Sequence, residues 1–393
     1  MDLGPIEQLR AETGDDRPVA ELRAPEEVAS ALGEASSIAV DLETNAFHAY
    51  RERMCLVQLA TPTADAFMDP VREDAPVKAL QEQLNRPGRA VIMHAGDNDV
   101  RVFKASWGWA PPHIFDTALA ARILGAPKLG LRDLLEAHLG VVIDKGEQRS
   151  DWSRRPLTVE QLRYARQDVR WLIPLADALG DALHASGRAS WHAEECARAA
   201  SVEPPERAFD REGWRSVKSA KGLGKRGRAV MAELWAWRES LAEARDLAPF
   251  RVLQPDVVAR LAKFAEARGQ GALQGLDGLR FLPPSLDRAD LARALERGLE
   301  GADPGATRPR SAPRTPPPVD PEGTSARMDR LKARRSEWSA RLGLDPGFLL
   351  ANATLARIAK AAPRDEEELR RVDGVGAWRT EALGEEILDV VRL

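Results

Sequence analysis

Asp41 with Glu43, Asp99, and Tyr164 with Asp168 are the residues of this chain whose types and spacing point to one chemistry. Asp41 and Glu43 close the run Ser37-Ile38-Ala39-Val40, which reads as a buried strand. Two residues apart on a strand, their side chains leave from the same face. Tyr164 and Asp168 are spaced i and i+4, so on a helix they also share a face. Carboxylates gathered in one place repel one another and resist ionisation unless cations neutralise them. Hard ions such as Mg²⁺ or Mn²⁺ prefer such oxygen ligands. A paired-metal carboxylate site is therefore the sharpest expectation, and phosphodiester cleavage is the reaction such a pair serves. Asp-x-Glu would supply a bridging and a flanking ligand, with Asp99 entering from the connection His94-Ala95-Gly96-Asp97-Asn98-Asp99. Asp168 would close the ring, and the Tyr164 hydroxyl would orient the attacking water. Each signal alone is common: an acid pair is usually solvated surface, and Asp99 also suits the first turn of a helix. Their order, spacing and contexts together raise the reading above these.

The elements that must position them alternate up to about residue 200. Ser37 to Asp41 reads as a strand, paired with a second over Met54 to Ala60, and Ala64 to Met68 as a third. Pro76 to Leu84 reads as a helix, Ala90 to His94 as a short buried strand, and Asp97 to Trp107 as a helix. Further helices are expected over Thr117 to Leu124, Leu131 to Leu139 and Thr158 to Leu183. This is an α/β layout with strands first and helices later. Past about 205 the pattern is helical only, including Ala229 to Ala244 and Gln254 to Ala267. A Pro-rich linker over 301–325 is expected to stay extended. The organisation expected is a lead-in over 1–20, a catalytic domain over 21–205, a helical domain over 206–300, the linker, and a second helical domain over 326–393.

Bulk properties set the limits. A chain of 393 residues exceeds one ordinary core and calls for two or three domains. Hydrophobic content of 44% and charged content of 30% fit a globular protein. No apolar stretch approaches the length of a membrane span, and the N-terminus lacks a secretory pattern. Cys55 and Cys196 stand far apart without ligand spacing, which argues against a disulfide framework or a zinc site and for a cytoplasmic setting. The net charge of −4 gives no support to wholesale nucleic-acid binding, so any such contact must be local.

The motifs reach a known family. Val40-Asp41-Leu42-Glu43, Cys55-Leu56-Val57-Gln58-Leu59 and Met93 to Asp99 come first. Phe115-Asp116-Thr117, Gly130-Leu131-Arg132-Asp133-Leu134, the run Lys145 to Leu157, and Tyr164 to Val169 follow in order. Residues from about 37 to 180 resemble the DEDDy group of 3′→5′ exonucleases, and within it the ribonuclease D family. One departure is Thr44-Asn45-Ala46-Phe47 in place of a Phe-x-Arg type segment, which bears on contacts to the terminal nucleotide. The resemblance implies a ribonuclease H-like exonuclease domain, a mixed sheet flanked by helices. It implies two divalent ions (Mg²⁺ or Mn²⁺), with Asp41, Glu43 and Asp168 holding the water-activating one. Asp41 would also serve the second, supported by Asp99, and Tyr164 would position the nucleophile. Asp116, tempting as a fifth ligand, belongs to the scaffold in this pattern.

The helical remainder resembles HRDC modules, giving two all-α bundles after the α/β domain. Glu233 to Arg238, Asp246 to Pro249 and Val252 to Asp256 carry the first match. Leu369 to Gly376 and Gly384 to Leu388 carry the closing half of a second, more diverged copy. Its Gly374-Val375-Gly376 turn either offers backbone N–H groups to a phosphate or simply joins two helices. Nucleic-acid contacts are expected from Lys145, Arg149 and Arg155. They are also expected from Lys221, Lys225 and Arg226 in the basic stretch that includes Arg215, Lys218 and Arg228. Trp152 is expected in the core, and His94, His113, Trp107 and Trp109 in structural roles. The function implied is a 3′→5′ exoribonuclease trimming structured RNA precursors such as tRNA, releasing nucleoside 5′-monophosphates, as a monomer away from membranes. A DNA-directed exonuclease acting on single-stranded DNA, and a binding protein with a decayed catalytic core, are the competing readings. The intact acids and tyrosine argue against the latter.

Overall fold

The structure is a computed structural model that describes Ile6, Leu9 and residues 17–144, 146–205, 208–305 and 320–392. Its contacts divide the chain into two compact units. The first contains residues up to 44, 54–204 and 314–393; the second contains 45–53 and 205–313.

In the first unit the strands are β1 (Val19–Glu21), β2 (Ser37–Thr44), β3 (Met54–Ala60), β4 (Asp65–Met68), β5 (Ala90–Met93) and β6 (Ile114–Asp116). They form one mixed sheet in the order β1-β4-β3-β2-β5-β6. β2 runs antiparallel to β3 and parallel to β5, and β5 runs parallel to β6. β3 is buried at every position, its apolar residues interrupted only by Gln58, the burial expected of a strand inside a sheet. Register places Asp41 opposite Gln58 and Glu43 opposite Leu56, with an irregularity just after Glu43.

Helices α1 (Pro25–Leu32), α2 (Val77–Leu84), α3 (Asp97–Trp107), α4 (Thr117–Ile123), α5 (Leu131–Leu139), α6 (Val159–Arg170), α7 (Leu172–Ala185) and α8 (Ala189–Ala200) complete the α/β part. Leu and Val from α1 and α2 pack with Ile38, Val40, Val57 and Leu59 on one side of the sheet. Val169, Leu172 and Ile173 pack on Ala39, Ala60 and Ile92. The single helix expected over 158–183 is two helices broken at Trp171. Pro174 explains the break, since it has no N–H to give to the carbonyl four residues back. The start of α6 is set by Thr158, whose hydroxyl accepts from Gln161 N while the Gln161 side chain returns to Thr158 N.

The same unit carries the C-terminal bundle: α13 (Pro321–Leu342), α14 (Pro346–Leu349), α15 (Asn352–Ala361), α16 (Glu366–Arg370) and α17 (Gly376–Arg392). Its core comprises Leu331, Trp338, Leu355, Ile358, Trp378 and Ile387.

The second unit holds α9 (Lys225–Ala244), α10 (Pro249–Val252), α11 (Pro255–Arg268) and α12 (Arg288–Glu300), packed around Trp214, Leu234, Val258, Leu261, Leu291 and Leu295. The segment 45–53 belongs to it: Tyr50 Oη donates to Glu239, and Arg251 donates to the Phe47 carbonyl.

The Pro-rich linker departs from the extended segment expected over 301–325. Its beginning is packed, with Asp303 paired to Arg228 and the carbonyls of Pro304 and Gly305 accepting from Arg215. Its end is helical from Pro321, whose fixed φ suits the first helical position, with Asp320 capping Gly323 N. Residues 306–319 lie outside the described residues.

Candidate active site

β2 and α6 bring three of the expected acids together. One oxygen from each of Asp41, Glu43 and Asp168 lies within 4.8 Å of the others, and all three side chains are half-buried. Asp41 is steadied across the β2–β3 pair by Gln58, whose Nε2 donates to Asp41 Oδ2 at 3.1 Å. Gln58 is fully buried, and among the described residues its Oε1 finds no hydrogen-bond partner. Gln58 lies in the motif Cys55 to Leu59, which by itself gives no sign of its task; the antiparallel register is what points its amide at Asp41.

The electrostatics follow from this crowding. Burial pushes Asp41 up from 3.8 to about 7, offset in part by a backbone hydrogen bond from Leu42. Burial also pushes Glu43 up from 4.5 to about 10, with the charges of Asp41, Asp168 and Asp99 adding to it. Asp168 is raised well above its ordinary value by burial and by Asp41. A donor set of this kind holds protons when bare and favours a hard divalent cation that displaces them. The residues therefore fit an oxygen-ligated metal.

Asp99 stands in the first turn of α3 and is buried. It lies outside the three-oxygen group, yet close enough for its charge to act on Glu43. Tyr164, one turn before Asp168 on α6, hydrogen-bonds to it, and burial with the Asp168 charge holds its hydroxyl protonated well above the usual range. Its ring packs 6.1 Å from that of Trp152, which is buried in the core as expected.

Asp116 takes the scaffold role. It caps α4 by accepting from Ala118 N and Leu119 N, and it accepts from Ala95 N and Gly96 N in the turn before α3. His94 bonds Thr117 Oγ1 through Nδ1, and burial lowers its pKa, in keeping with a structural histidine. Trp107 and Trp109 pack on Phe103.

The expected nucleic-acid contacts separate. Arg155 is corrected: all five of its N–H bonds are committed, two to Asp69 and the others to the carbonyls of Cys55, Trp152 and Arg154. With both partners buried, this is an internal ion pair and leaves no donor for a phosphate. Arg149 is exposed, and Lys145 lies outside the described residues. In the second unit Lys218, Lys221, Lys225 and Arg226 are exposed, whereas Arg215 and Arg228 are tied to Glu212 and Asp303. The Gly374-Val375-Gly376 turn is not open to a phosphate. Glu194 of α8 already accepts from Ala377 N and Trp378 N at the start of α17. Gly376 has φ +74°, and a Cβ there would strike the Glu194 carboxylate.

Comparison with known proteins agrees with this geometry. A 3′-5′ exonuclease family model matches residues 17–184, and the HRDC domain model matches 227–280 and 325–391. Ribonuclease D of Nitrobacter hamburgensis is 32% identical over 360 residues, covering 89% of this chain and 88% of that protein. The crystal structure of Escherichia coli RNase D, an exoribonuclease involved in structured RNA processing, superposes with a TM-score of 0.61 at 25% identity. That match covers 95% of this chain and 98% of the other. A Bifidobacterium adolescentis protein of the same fold gives a TM-score of 0.73 at 21% identity, over 97% and 98% of the two chains. No helix among the described residues is long and apolar enough to cross a membrane. Catalytic-domain match, tandem HRDC modules and a relative aligned over most of both lengths converge: the chain belongs to the ribonuclease D family and is a 3′→5′ exoribonuclease.

Proposed function

We propose that the enzyme trims the 3′ ends of structured RNA precursors, tRNA among them, and releases nucleoside 5′-monophosphates with the help of two divalent cations. The observation that carries the reading is the convergence of Asp41, Glu43 and Asp168 within 4.8 Å, with Asp99 near by and Tyr164 bonded to Asp168. Asp41, Glu43 and Asp168 would hold one ion, and Asp41 with Asp99 the other. Bound there, such ions lower the pKa of water and neutralise charge on the leaving oxygen.

The chain's own residues do the rest. Gln58 fixes the Asp41 carboxylate, so the strand presents Asp41 and Glu43 with little freedom. Tyr164 keeps its proton at neutral pH and gives its hydroxyl hydrogen to Asp168, leaving its lone pairs to orient an incoming water. Trp152 behind the ring restrains it to one face. The substrate class rests on the family and on the described role of the Escherichia coli relative in structured RNA processing. Exposed Lys221, Lys225 and Arg226, with Lys218 beside them, suit phosphate contacts that position RNA without reading its sequence.

The deciding experiment digests end-labelled 3′-extended tRNA and single-stranded DNA of matched length with Mg²⁺ or Mn²⁺, in wild type and Asp41→Ala. Stepwise 3′→5′ shortening of the RNA that disappears in the variant is expected. Equal activity of the variant, or a clear preference for DNA, would overturn the reading.

A further inference from the structure

A chain of contacts leads from the C-terminal bundle to the turn that carries Asp99. At its outer end, the ring of Trp378 on α17 stacks on Trp191 of α8 with centroids 4.7 Å apart. Arg379 Nη1 and Trp378 Nε1 both donate to Glu195 Oε1, at 2.6 and 2.8 Å, and this ion pair is buried. Glu194, the next residue on α8, takes the N–H groups at the start of α17. One turn of helix therefore binds the bundle through a stack, a buried ion pair and a helix cap.

The inner face of the same helix holds Asp116 by its backbone. His192 Nε2 donates to the Asp116 carbonyl at 2.9 Å, and Asp116 N donates to Cys196 Sγ at 3.4 Å. Burial lowers the pKa of His192 and pushes Cys196 up to about 12. Both groups are thus neutral, and in this enclosed setting they serve as hydrogen-bond partners. The Asp116 carboxylate then bonds Ala95 N and Gly96 N. Ala95 has φ +52°, a backbone region that residues other than glycine rarely adopt. Gly96 admits no side chain, because a Cβ would lie 2.9 Å from that of Met93. This constrained turn opens α3 three residues before Asp99.

We infer that Asp116 is a positioning residue for the metal site and that the C-terminal bundle braces it through α8. The bundle thereby acts on catalysis as a structural support for Asp99, in addition to any hold on RNA. The inference rests on the reading of Asp99 as a metal ligand.

Three variants of the full chain test it: Asp116→Asn, Asp99→Asn and the double substitution. Asp116→Asn turns one acceptor oxygen into a donor facing an N–H. It should raise the Mn²⁺ concentration for half-saturation, measured by calorimetry, by about tenfold or more. It should lower kcat while leaving the RNA KM within about twofold. If Asp116 acts through Asp99, the double variant binds Mn²⁺ no more weakly than Asp99→Asn alone. Multiplying losses would overturn the inference, as would unchanged Mn²⁺ binding in Asp116→Asn beside a loss in Asp99→Asn. Unchanged binding in Asp99→Asn would remove the ligand reading, and the inference with it.

Glu194→Ala tests the outer link and decides alone if Asp116→Asn does not fold. It should speed backbone hydrogen exchange over 376–378 and also over 93–99, with a rise in Mn²⁺ half-saturation in the same direction. Faster exchange confined to 376–378, with metal binding unchanged, would overturn the bracing role.

Discussion

Glu43→Gln should stabilise the metal-free enzyme, and by an amount that grows with pH. Glu43 is held at about 10 in the folded chain against 4.5 ordinarily, chiefly by burial and then by the charges of Asp41, Asp168 and Asp99. A carboxyl raised in this way adds stability below its unfolded value and loses it as pH rises toward its folded value. Asp41 behaves alike over a narrower window, from 3.8 up to about 7. Between pH 5.5 and 8.5 the folded chain keeps a Glu43 proton that the unfolded chain has released, at about 1.36 kcal/mol per pH unit, or about 4 kcal/mol as a ceiling. The site is half-buried and water shares the load, so the expected gain of the glutamine variant at the upper pH is about 1–2 kcal/mol. That corresponds to a rise of roughly 2–8 °C in the melting temperature of a unit this size. The assay is thermal unfolding of both proteins in chelator near pH 5.5, 7 and 8.5. Wild type should lose stability along this series and recover it on adding Mg²⁺, more so at higher pH because the ligands must shed protons. A difference between the two proteins that is independent of pH, or a glutamine variant that is less stable at the highest pH, would refute the reasoning.

Other substitutions separate chemistry from architecture. Tyr164→Phe should lower kcat by about 10²-fold or more while calorimetric Mn²⁺ binding stays within a few-fold, since only the water-orienting hydroxyl is lost; abolished metal binding would make the residue structural. Arg155→Ala should cost about 3–5 kcal/mol in denaturant unfolding by leaving Asp69 buried without its partner. A variant that stays stable but loses RNA affinity would return Arg155 to the nucleic-acid interface. Replacing Lys221, Lys225 and Arg226 together by Ala should weaken RNA binding and reduce the slope of log affinity against log salt by about 2, with melting temperature unchanged. An unaltered slope would place the RNA elsewhere.

The candidate acids were legible because their signals are local and fall in the order of a known family's motifs. Asp-x-Glu on a strand and Tyr-x-x-x-Asp on a helix declare shared faces through the periods of the backbone alone. The bounds of α3 and β3 likewise follow from patterns completed within a dozen residues. Trp171, where one expected helix becomes two, marks the limit of such patterns. The apolar period continues through the break, while the missing N–H of Pro174 acts against it.

Arg155 and Glu194 show what lay beyond reach. A basic residue in a basic run looks like a phosphate contact until Asp69, far away in the chain, takes its guanidinium. A Gly-Val-Gly turn at a helix start looks like an anion site until an anion from the chain itself fills it. The sequence by itself set out the candidate acids and the face each leaves from, since these depend on residue type and backbone period, and its ordered motifs carried the resemblance to the family. Only the tertiary structure decided which acids meet within 4.8 Å, which arginines are spent internally and how α8 ties Asp116 to the C-terminal bundle. Those outcomes depend on partners many residues away, whose meeting is fixed by packing of the whole core rather than by any local pattern.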